Sequence, residues 1–275
     1  MKKYNQQTRL LNNGTEIPVI GFGTYQIPDG LASSQAVANA IACGYRHIDC
    51  ASAYNNQKSV GRGIKDSKID RDDLFITSKV WVTDMSYDST IEACKKTLQE
   101  LSLDYLDLYI IHWPKPNSRE CFQALQYLYE EKLVRAIGIS NFKPHHIKDF
   151  IEGESIIPAI NQIECHPYLQ QAETIAYCSS HDIAITAHSP FMEGRMFSVP
   201  ELAEIAKKHN KSVAQIALRW NYQRGVIVIP KSTSISRMKE NMNIFDFVLD
   251  DEDMDRIKAL ETGERSAPDP DNMPF

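Results

Sequence analysis

Long apolar runs are absent from this sequence, and no stretch approaches the roughly 20 apolar residues that a membrane-spanning helix requires. The N-terminus is also short of apolar residues, because Lys2 and Lys3 are followed by mainly polar side chains rather than by the apolar segment of a secretory leader. We therefore expect a cytoplasmic protein with no leader and no membrane partner.

Cysteine spacing typical of zinc sites is missing too, because no Cys-x-x-Cys pair occurs. The six cysteines are scattered through apolar segments, which favours reduced core thiols in a reducing compartment. Disulfides and a zinc site are the alternatives that this placement disfavours. The six residues are Cys43, Cys50, Cys94, Cys121, Cys165 and Cys178.

Positive charge is in short supply, since 30 lysines and arginines are outnumbered by 36 aspartates and glutamates, for a net charge of −6. Proteins that bind nucleic acid normally show an excess of cations, so we expect no nucleic-acid partner. Hydrophobic residues make up 43% of the chain, which is enough to bury a large core and argues against a disordered protein.

Short apolar segments alternate with amphipathic ones along the chain. An Asn13-Gly14 pair between two short runs first predicts a β-hairpin near residues 8–17. Eight strand-like segments, each followed by a helical pattern, then predict parallel strands in an α/β fold. The predicted strands are Val19–Tyr25, Tyr45–Ile48, Leu74–Ser78, Leu106–Ile111, Ala136–Ile139, Ala159–Glu164, Ile183–Ala187 and Val226–Ile229.

Eight such units favour a closed barrel over an open doubly wound sheet. A Rossmann domain lacks support, because no Gly-x-Gly-x-x-Gly motif opens a helix. The length of 275 residues matches a (β/α)8 barrel, which typically has about 250. We therefore predict a single TIM-barrel domain over residues 1–275, with an N-terminal β-hairpin and extra C-terminal helices.

Titratable side chains stand at the ends of three successive predicted strands. Asp49, Lys79 and His112 each come directly after such a strand, and Tyr54 lies five residues beyond Asp49. Because the carboxyl ends of parallel barrel strands form the active site, we expect these groups to meet. We predict that the ammonium of Lys79 lowers the pKa of the Tyr54 phenol, so that it can protonate an oxygen as hydride reaches carbon.

Each of these residues also has a simpler interpretation. Asp49 and Lys79 could form an ordinary buried salt bridge, and His112 could cap the loop before Trp113 and Pro114. Taken together at one end of three neighbouring strands, the four residues point to a catalytic site more specifically than any of them alone.

Polar side chains at the later strand ends fit a bound ring system. Ser140, Asn141 and Gln162 offer hydroxyl and amide groups suited to a carboxamide, and His188 offers a flat ring for stacking. The alternative is that these residues serve only as turn residues and loop caps, which are common roles for such side chains.

A cationic cluster follows the last predicted strand. Lys231, Ser232 and Arg237 lie at the start of a predicted helix, where barrels often place a phosphate site and where the helix N-terminus adds positive potential. A solvated basic turn is the alternative. We favour an anion site, because the cluster interrupts an otherwise acidic protein at this position.

Four stretches of the chain resemble the aldo-keto reductase family, and the resemblance runs from the hairpin near Thr8 to Asn241. Within the family, the short loops resemble compact microbial members such as diketogluconate and glyoxal reductases. The four stretches are Gly44-x-Arg46-x-Ile48-Asp49-x-Ala51-x-x-Tyr54, Leu103–Pro114, Ile139-Ser140-Asn141-Phe142 and Ile229-Pro230-Lys231-Ser232.

The resemblance implies a barrel that reduces carbonyl compounds with NADPH. It implies that Tyr54 is the general acid, that Lys79 and Asp49 tune it, and that His112 orients the substrate carbonyl. The residues it implies for the NADPH/NADP+ site are Gly23, Thr24 and Asp49 at the nicotinamide ribose, Ser140, Asn141 and Gln162 at the carboxamide, His188 at the stacking position, Ser189 and Phe191 at the pyrophosphate, Lys231, Ser232 and Arg237 at the 2′-phosphate, and Glu240 and Asn241 at the adenine.

The sequence departs from the family at two positions, because His188 replaces the usual stacking tyrosine and Gln57 replaces the usual glutamate. The short loops resemble those of members that act on small aldehydes, dicarbonyls and keto-sugars, and they imply a wide mouth. We expect a monomer whose small-molecule carbonyl substrate lies against aromatic rings. The predicted substrate residues are Tyr25, Tyr54, Trp81, His112 and Trp113.

Two other classes of protein remain as alternatives. One is a non-catalytic NADPH-binding barrel that serves as a sensor or subunit, against which the four intact acid-site residues argue. The other is a metal-dependent hydrolase, which would need a His-x-His pair or clustered carboxylates at strand ends. The adjacent pair His145 and His146 does not fit that pattern, so we expect no bound metal.

Overall fold

The computed structural model describes residues 6–151 and 156–273 of the chain. The remaining residues, which include most of the segment on which the leader expectation rests, lie outside the described residues. An antiparallel hairpin comes first, formed by β1 (Thr8–Leu10) and β2 (Glu16–Pro18) around Gly14, whose φ of 82° suits glycine at the turn. The hairpin prediction is therefore confirmed.

Eight parallel strands follow in chain order, and each pairs with the next one along the sequence. A parallel bridge between Ile20 and Val228 joins the last strand to the first, with 3.0 Å between Val228 N and Val19 O, and this contact closes the barrel. The strands are β3 (Gly21–Gly23), β4 (His47–Asp49), β5 (Phe75–Val80), β6 (Leu108–Ile111), β7 (Ile137–Ser140), β8 (Ile160–Glu164), β9 (Ala184–His188) and β10 (Ile227–Val228).

Helices surround the barrel and cover its outer face. Two helices follow β9 and two follow β10, so the extra C-terminal helices are present as predicted. The helices are α1 (Leu31–Ala42), α2 (Gln57–Asp66), α3 (Tyr87–Leu101), α4 (Ser118–Glu130), α5 (Pro144–Ile151), α6 (Ala172–Ser180), α7 (Pro200–His209), α8 (Val213–Gln223), α9 (Ile235–Met242) and α10 (Asp251–Lys258).

Several strands are shorter than the sequence predicts. The strand predicted to begin at Leu106 begins at Leu108, and the Asp107 carboxylate just before it accepts a hydrogen bond from Ile76 N at 2.9 Å and pairs with Arg71 at 2.7 Å. The first strand is limited to Gly21–Gly23, where neighbouring segments approach closely. A Cβ on Gly23 would lie 2.9 Å from the carbonyl oxygen of Ile229, so glycine permits this approach.

The structure shows the state of the cysteine thiols and the character of the helices. All six cysteine thiols are free in the structure, and five of them are buried. Burial raises the pKa of Cys50, Cys94 and Cys121 to about 12, so these thiols stay protonated at neutral pH. Over residues 6–151 and 156–273, no helix combines the length and apolar character needed to cross a membrane.

Candidate active site

Three of the predicted acid-site residues form one hydrogen-bonded group at the carboxyl ends of β4 and β5. The Lys79 ammonium lies 2.5 Å from Asp49 Oδ1, 3.3 Å from the Tyr54 hydroxyl and 3.0 Å from the Cys50 carbonyl oxygen. Lys79 is fully buried and Asp49 nearly so. Strands β4 and β5 are adjacent in the barrel, which brings together residues that are 25 to 30 positions apart in sequence.

The second carboxylate oxygen of Asp49 is also engaged. Gln162 Nε2 donates to Asp49 Oδ2 at 2.7 Å, across the barrel from β8. The Thr24 hydroxyl donates to the backbone carbonyl of Asp49 at 3.0 Å. A buried ion pair is stable only when its remaining lone pairs and protons find partners, and this one does.

The pKa of Tyr54 differs from the sequence-based prediction, although the effect of Lys79 has the predicted direction. Burial in the cleft raises the pKa of the phenol to about 12, and the opposing charge of Lys79 only partly offsets this effect. The prediction considered the ammonium and overlooked the loss of water around the ring. Burial alone would lower the pKa of Lys79, but the Asp49 carboxylate raises it above its ordinary value. The phenol of Tyr54 is therefore neutral at physiological pH.

His112 completes the group with its imidazole ring. Its centroid lies 5.7 Å from that of Tyr54 and 5.1 Å from that of Trp81, both with edge-on geometry. Burial and the nearby Lys79 charge lower the pKa of His112 well below its usual value, so the ring is neutral at pH 7. A neutral imidazole with a free N–H donates to an oxygen without giving up its proton.

The amide residues predicted for the carboxamide lie beside this group. Asn141 Nδ2 donates to the His112 carbonyl at 3.0 Å, and His188 lies 2.9 Å from Asn141 Oδ1 through its Nε2 atom. Ser140 directs its hydroxyl to the Gln162 carbonyl at 2.7 Å. Burial lowers the pKa of His188 to about 4, so this imidazole is neutral as well.

The cationic cluster lies at the start of α9, at another part of the same cavity. Lys231 and Arg237 are exposed, Ser232 is largely buried, and all three line the cavity. Within the part of the chain that the structure describes, neither cation forms an ion pair with a carboxylate. Glu240 accepts a hydrogen bond from Ser212, and Asn241 is buried beside it on the same helix. Unpaired cations beside a helix N-terminus fit a phosphate group.

One cavity connects these groups, with a volume of about 1360 Å³. Ordinary small-ligand pockets have roughly 300–1,000 Å³, so this one has room for a dinucleotide and a substrate. The predicted site residues that line it are Gly23, Tyr25, Asp49, Tyr54, Trp81, His112, Trp113, Asn141, Gln162, His188, Ser189, Phe191, Lys231, Ser232, Arg237, Glu240 and Asn241.

Two predicted cofactor residues do not line the cavity. Thr24 and Ser140 are buried, with their hydroxyls bonded to the backbone of Asp49 and Gln162. Their hydroxyls donate to these carbonyl oxygens, and their contact with a cofactor stays a prediction. Lys79 is likewise behind the cavity wall, where it contacts Asp49 and Tyr54.

The sequence patterns did not indicate that the C-terminal segment belongs to the site. Ser266, Ala267 and Pro268 line the cavity, about 100 residues after the strand against which they are held. The patterns also did not indicate Glu193 and Phe197, which lie in the turn after β9. No local pattern marks the contacts of residues 266–268, since they depend on where the chain returns after α10.

A single three-residue group with potential metal ligands occurs among the described residues, and it lies outside the cavity. His145, His146 and Asp271 bring their ligand atoms within 4.8 Å of one another. The Lys143 ammonium already pairs with Asp271 at 2.5 Å and with Asp269 at 2.6 Å. The Lys143 ammonium therefore already balances the charge of Asp271.

A sequence model of the Aldo/keto reductase family matches residues 19–262. The chain belongs to this family. A glyoxal reductase of Bacillus subtilis is 47% identical, and the match covers 98% of both chains.

Solved structures of aldo-keto reductases share the same fold. One from a Medee basin deep-sea metagenome library has a TM-score of 0.94 and 43% identity, covering 97% of this chain and 100% of that one. Another, from Bombyx mori in complex with NADP, has a TM-score of 0.90 and 36% identity, covering 96% and 95% of the two chains. The (β/α)8 barrel prediction is confirmed, and membership of the aldo/keto reductase family makes carbonyl reduction with a nicotinamide cofactor the supported activity.

Proposed function

We propose that this aldo/keto reductase reduces small aldehydes, dicarbonyls and keto-sugars to alcohols with NADPH, and that Tyr54 is the general acid. The observation that carries the proposal is the contact of 3.3 Å between Lys79 Nζ and the Tyr54 hydroxyl at the wall of the cavity. A neutral phenol that faces a cavity and is backed by a buried ammonium is suited to protonate an oxygen and to be stabilised afterwards as phenolate.

Each residue of the group has a separate part in the reaction. NADPH, when bound, supplies a hydride to the carbonyl carbon. Tyr54 donates its proton to the carbonyl oxygen, and Lys79 stabilises the phenolate that remains. Asp49 holds the ammonium in place through its 2.5 Å contact. His112, neutral and beside Tyr54, donates a hydrogen bond that orients the carbonyl.

The choice of NADPH over NADH follows from the cationic cluster. Lys231 and Arg237 would bind the 2′-phosphate, and Ser232 would add a hydroxyl. Charge-assisted hydrogen bonds of this kind are about twice as strong as neutral ones. NADH lacks the phosphate and would leave both cations without a partner. Asn141 and Gln162 line the cavity at the other end and would hold the carboxamide.

The substrate class follows from the cavity mouth. Tyr25 is 54% exposed, and its ring centroid lies 5.0 Å from that of Tyr54. Trp81 and Trp113 flank His112 with centroid distances of 5.1 and 6.4 Å. Aromatic side chains around the polar groups of Tyr54 and His112 suit small carbonyl compounds. The 47% identity to a protein named glyoxal reductase supports the same class.

A substrate panel with both nicotinamide cofactors tests the proposal. We expect loss of NADPH absorbance with glyoxal, methylglyoxal and simple aldehydes, and a kcat/KM at least ~10-fold lower with NADH, as one lost charge-assisted interaction predicts. An absence of turnover with every carbonyl, together with tight NADPH binding, would instead favour the sensor or subunit alternative. Equal rates with NADH would remove the 2′-phosphate assignment.

A further inference from the structure

The C-terminal segment 266–268 forms part of the cavity wall, although it belongs to neither a strand nor a helix. Such a segment stays in place only if specific contacts hold it, because irregular chain buries little apolar surface by itself. The contacts lie at Glu164, the last residue of β8.

Glu164 binds the segment with both of its carboxylate oxygens. Its Oε1 accepts from Ser266 N at 2.7 Å and from the Ser266 hydroxyl at 2.5 Å. Its Oε2 accepts from Ala267 N at 3.1 Å. His166 lies 3.0 Å from Oε1, and Glu164 itself is 1% exposed.

The charge on Glu164 depends on these donors. Burial alone would raise its pKa, but the hydrogen bonds from His166 and Ser266 hold the pKa at about 2. Over the described residues, no lysine or arginine pairs with this carboxylate. If the segment left, a buried charge would lose three donors, which is a costly state.

Two further contacts hold the segment on either side. Lys143, just before α5, pairs with Asp269 at 2.6 Å and with Asp271 at 2.5 Å. Arg195, in the turn after β9, pairs with Glu264. The outer contacts are exposed, so we expect each of them to contribute less than the buried one.

We propose that Glu164 is a positioning residue for substrate selection, because it fixes residues 266–268 as one wall of the cleft. This inference rests on the proposed function. A fixed wall narrows the cavity that these residues line, so small dicarbonyls gain contacts that a mobile wall would not give them. Bulky aldehydes contact the aromatic walls of the cavity directly, so their binding depends less on residues 266–268.

The variant Glu164→Gln tests this inference with two readouts. Trypsin should release the peptide after Arg265 at least ~10-fold faster than from the wild type, since loss of a charge-assisted hydrogen bond predicts that change in local opening. The KM for glyoxal should rise by roughly 5- to 10-fold with kcat nearly unchanged. The KM for a naphthaldehyde and the Kd for NADPH should stay within about twofold of the wild type.

The matched control is Glu204→Gln. Glu204 pairs with Arg256 at 2.5 Å on the outer surface, and neither residue lines the cavity. The control removes the same charge and should change neither readout. Ser266→Ala removes one donor and leaves the buried carboxylate intact, so it gives a smaller shift in the same direction and carries the test if Glu164→Gln fails to fold.

The outcomes separate the inference from the proposed function. Unchanged proteolysis in both Glu164→Gln and Ser266→Ala would overturn the anchoring role. Faster proteolysis with an equal change in KM for glyoxal and naphthaldehyde would overturn the role in selection. If the wild type reduced no carbonyl, the proposed function would fail, and proteolysis would still decide whether Glu164 holds the segment.

Discussion

Two regions of the same cavity treat charge in opposite ways. Beside Tyr54, the ion pair of Asp49 and Lys79 is buried and satisfied before any ligand arrives. At the start of α9, Lys231 and Arg237 are exposed and, as far as the structure describes the chain, have no carboxylate partner. One region keeps its charges paired within the protein, whereas the other leaves them available.

Buried, paired charges and exposed, unpaired charges suit two different functions. A group that stabilises charge developing during a reaction acts best when it is already oriented and shielded from water. A group that selects a cofactor contributes affinity when its own charge is unpaired in the free protein. Changes in the first region should therefore affect kcat, and changes in the second should affect the Kd for the cofactor.

The largest expected effect is on Lys79. Lys79→Met should lower kcat by ~10³-fold, because loss of phenolate stabilisation removes an electrostatic contribution of that size. It also leaves Asp49 buried without its cation, which destabilises the fold. The double variant Asp49→Asn with Lys79→Met should recover stability in a thermal melt and still lack activity. Recovered activity in the double variant would show that the ammonium serves the fold alone.

A smaller and more selective effect is expected at Arg237. Arg237→Ala should raise the Kd for NADPH by ~10- to 100-fold, the range for one charge-assisted contact, and leave the Kd for NADH nearly unchanged. Fluorescence titration with both cofactors measures this difference. Lys239→Ala, on an exposed position of the same helix, is the control. Equal loss of affinity for both cofactors would contradict the contrast between the two regions.

The smallest expected effect is on the stability of the whole fold. Burial lowers the pKa of His47 and His188 to about 4, so both stay neutral when folded and take up protons when unfolded below about pH 6.5. The unfolded chain then binds more protons, and stability falls as pH falls. We expect Tm at pH 5 to be at least ~5 °C lower than at pH 7. His188→Phe should weaken this dependence of Tm on pH. A wild-type Tm that is the same at pH 5 and at pH 7 would contradict the prediction.

The sequence predicts the barrel well because the signal is repeated eight times along the chain. The strand that ends at Asp49 shows the reason, since a short buried run, a carboxylate and a helix follow one another within a local window. Asp49, Lys79 and Tyr54 were expected to meet because the carboxyl ends of parallel strands share one face. The structure brings these residues together as that rule implies.

The sequence predicts contacts between distant segments and the effects of burial less well. Ser266 reaches Glu164 across 102 positions, and nothing in either local pattern marks the pair. The pKa of Tyr54 depends on how much water surrounds the ring, which the sequence does not show. The hydroxyl of Thr24 donates to the Asp49 carbonyl, a contact that the sequence does not indicate, and the role of Thr24 at the cofactor stays a prediction.

The most direct test of the account is the variant Tyr54→Phe, studied with NADPH bound. The central claim predicts that the single-turnover rate of NADPH oxidation by glyoxal falls by ~10³-fold, within the range for loss of a general acid. The Kd for NADPH should remain within about twofold, because the phenol donates a proton and does not hold the phosphate. A rate close to that of the wild type would contradict the assignment of Tyr54 as the proton donor.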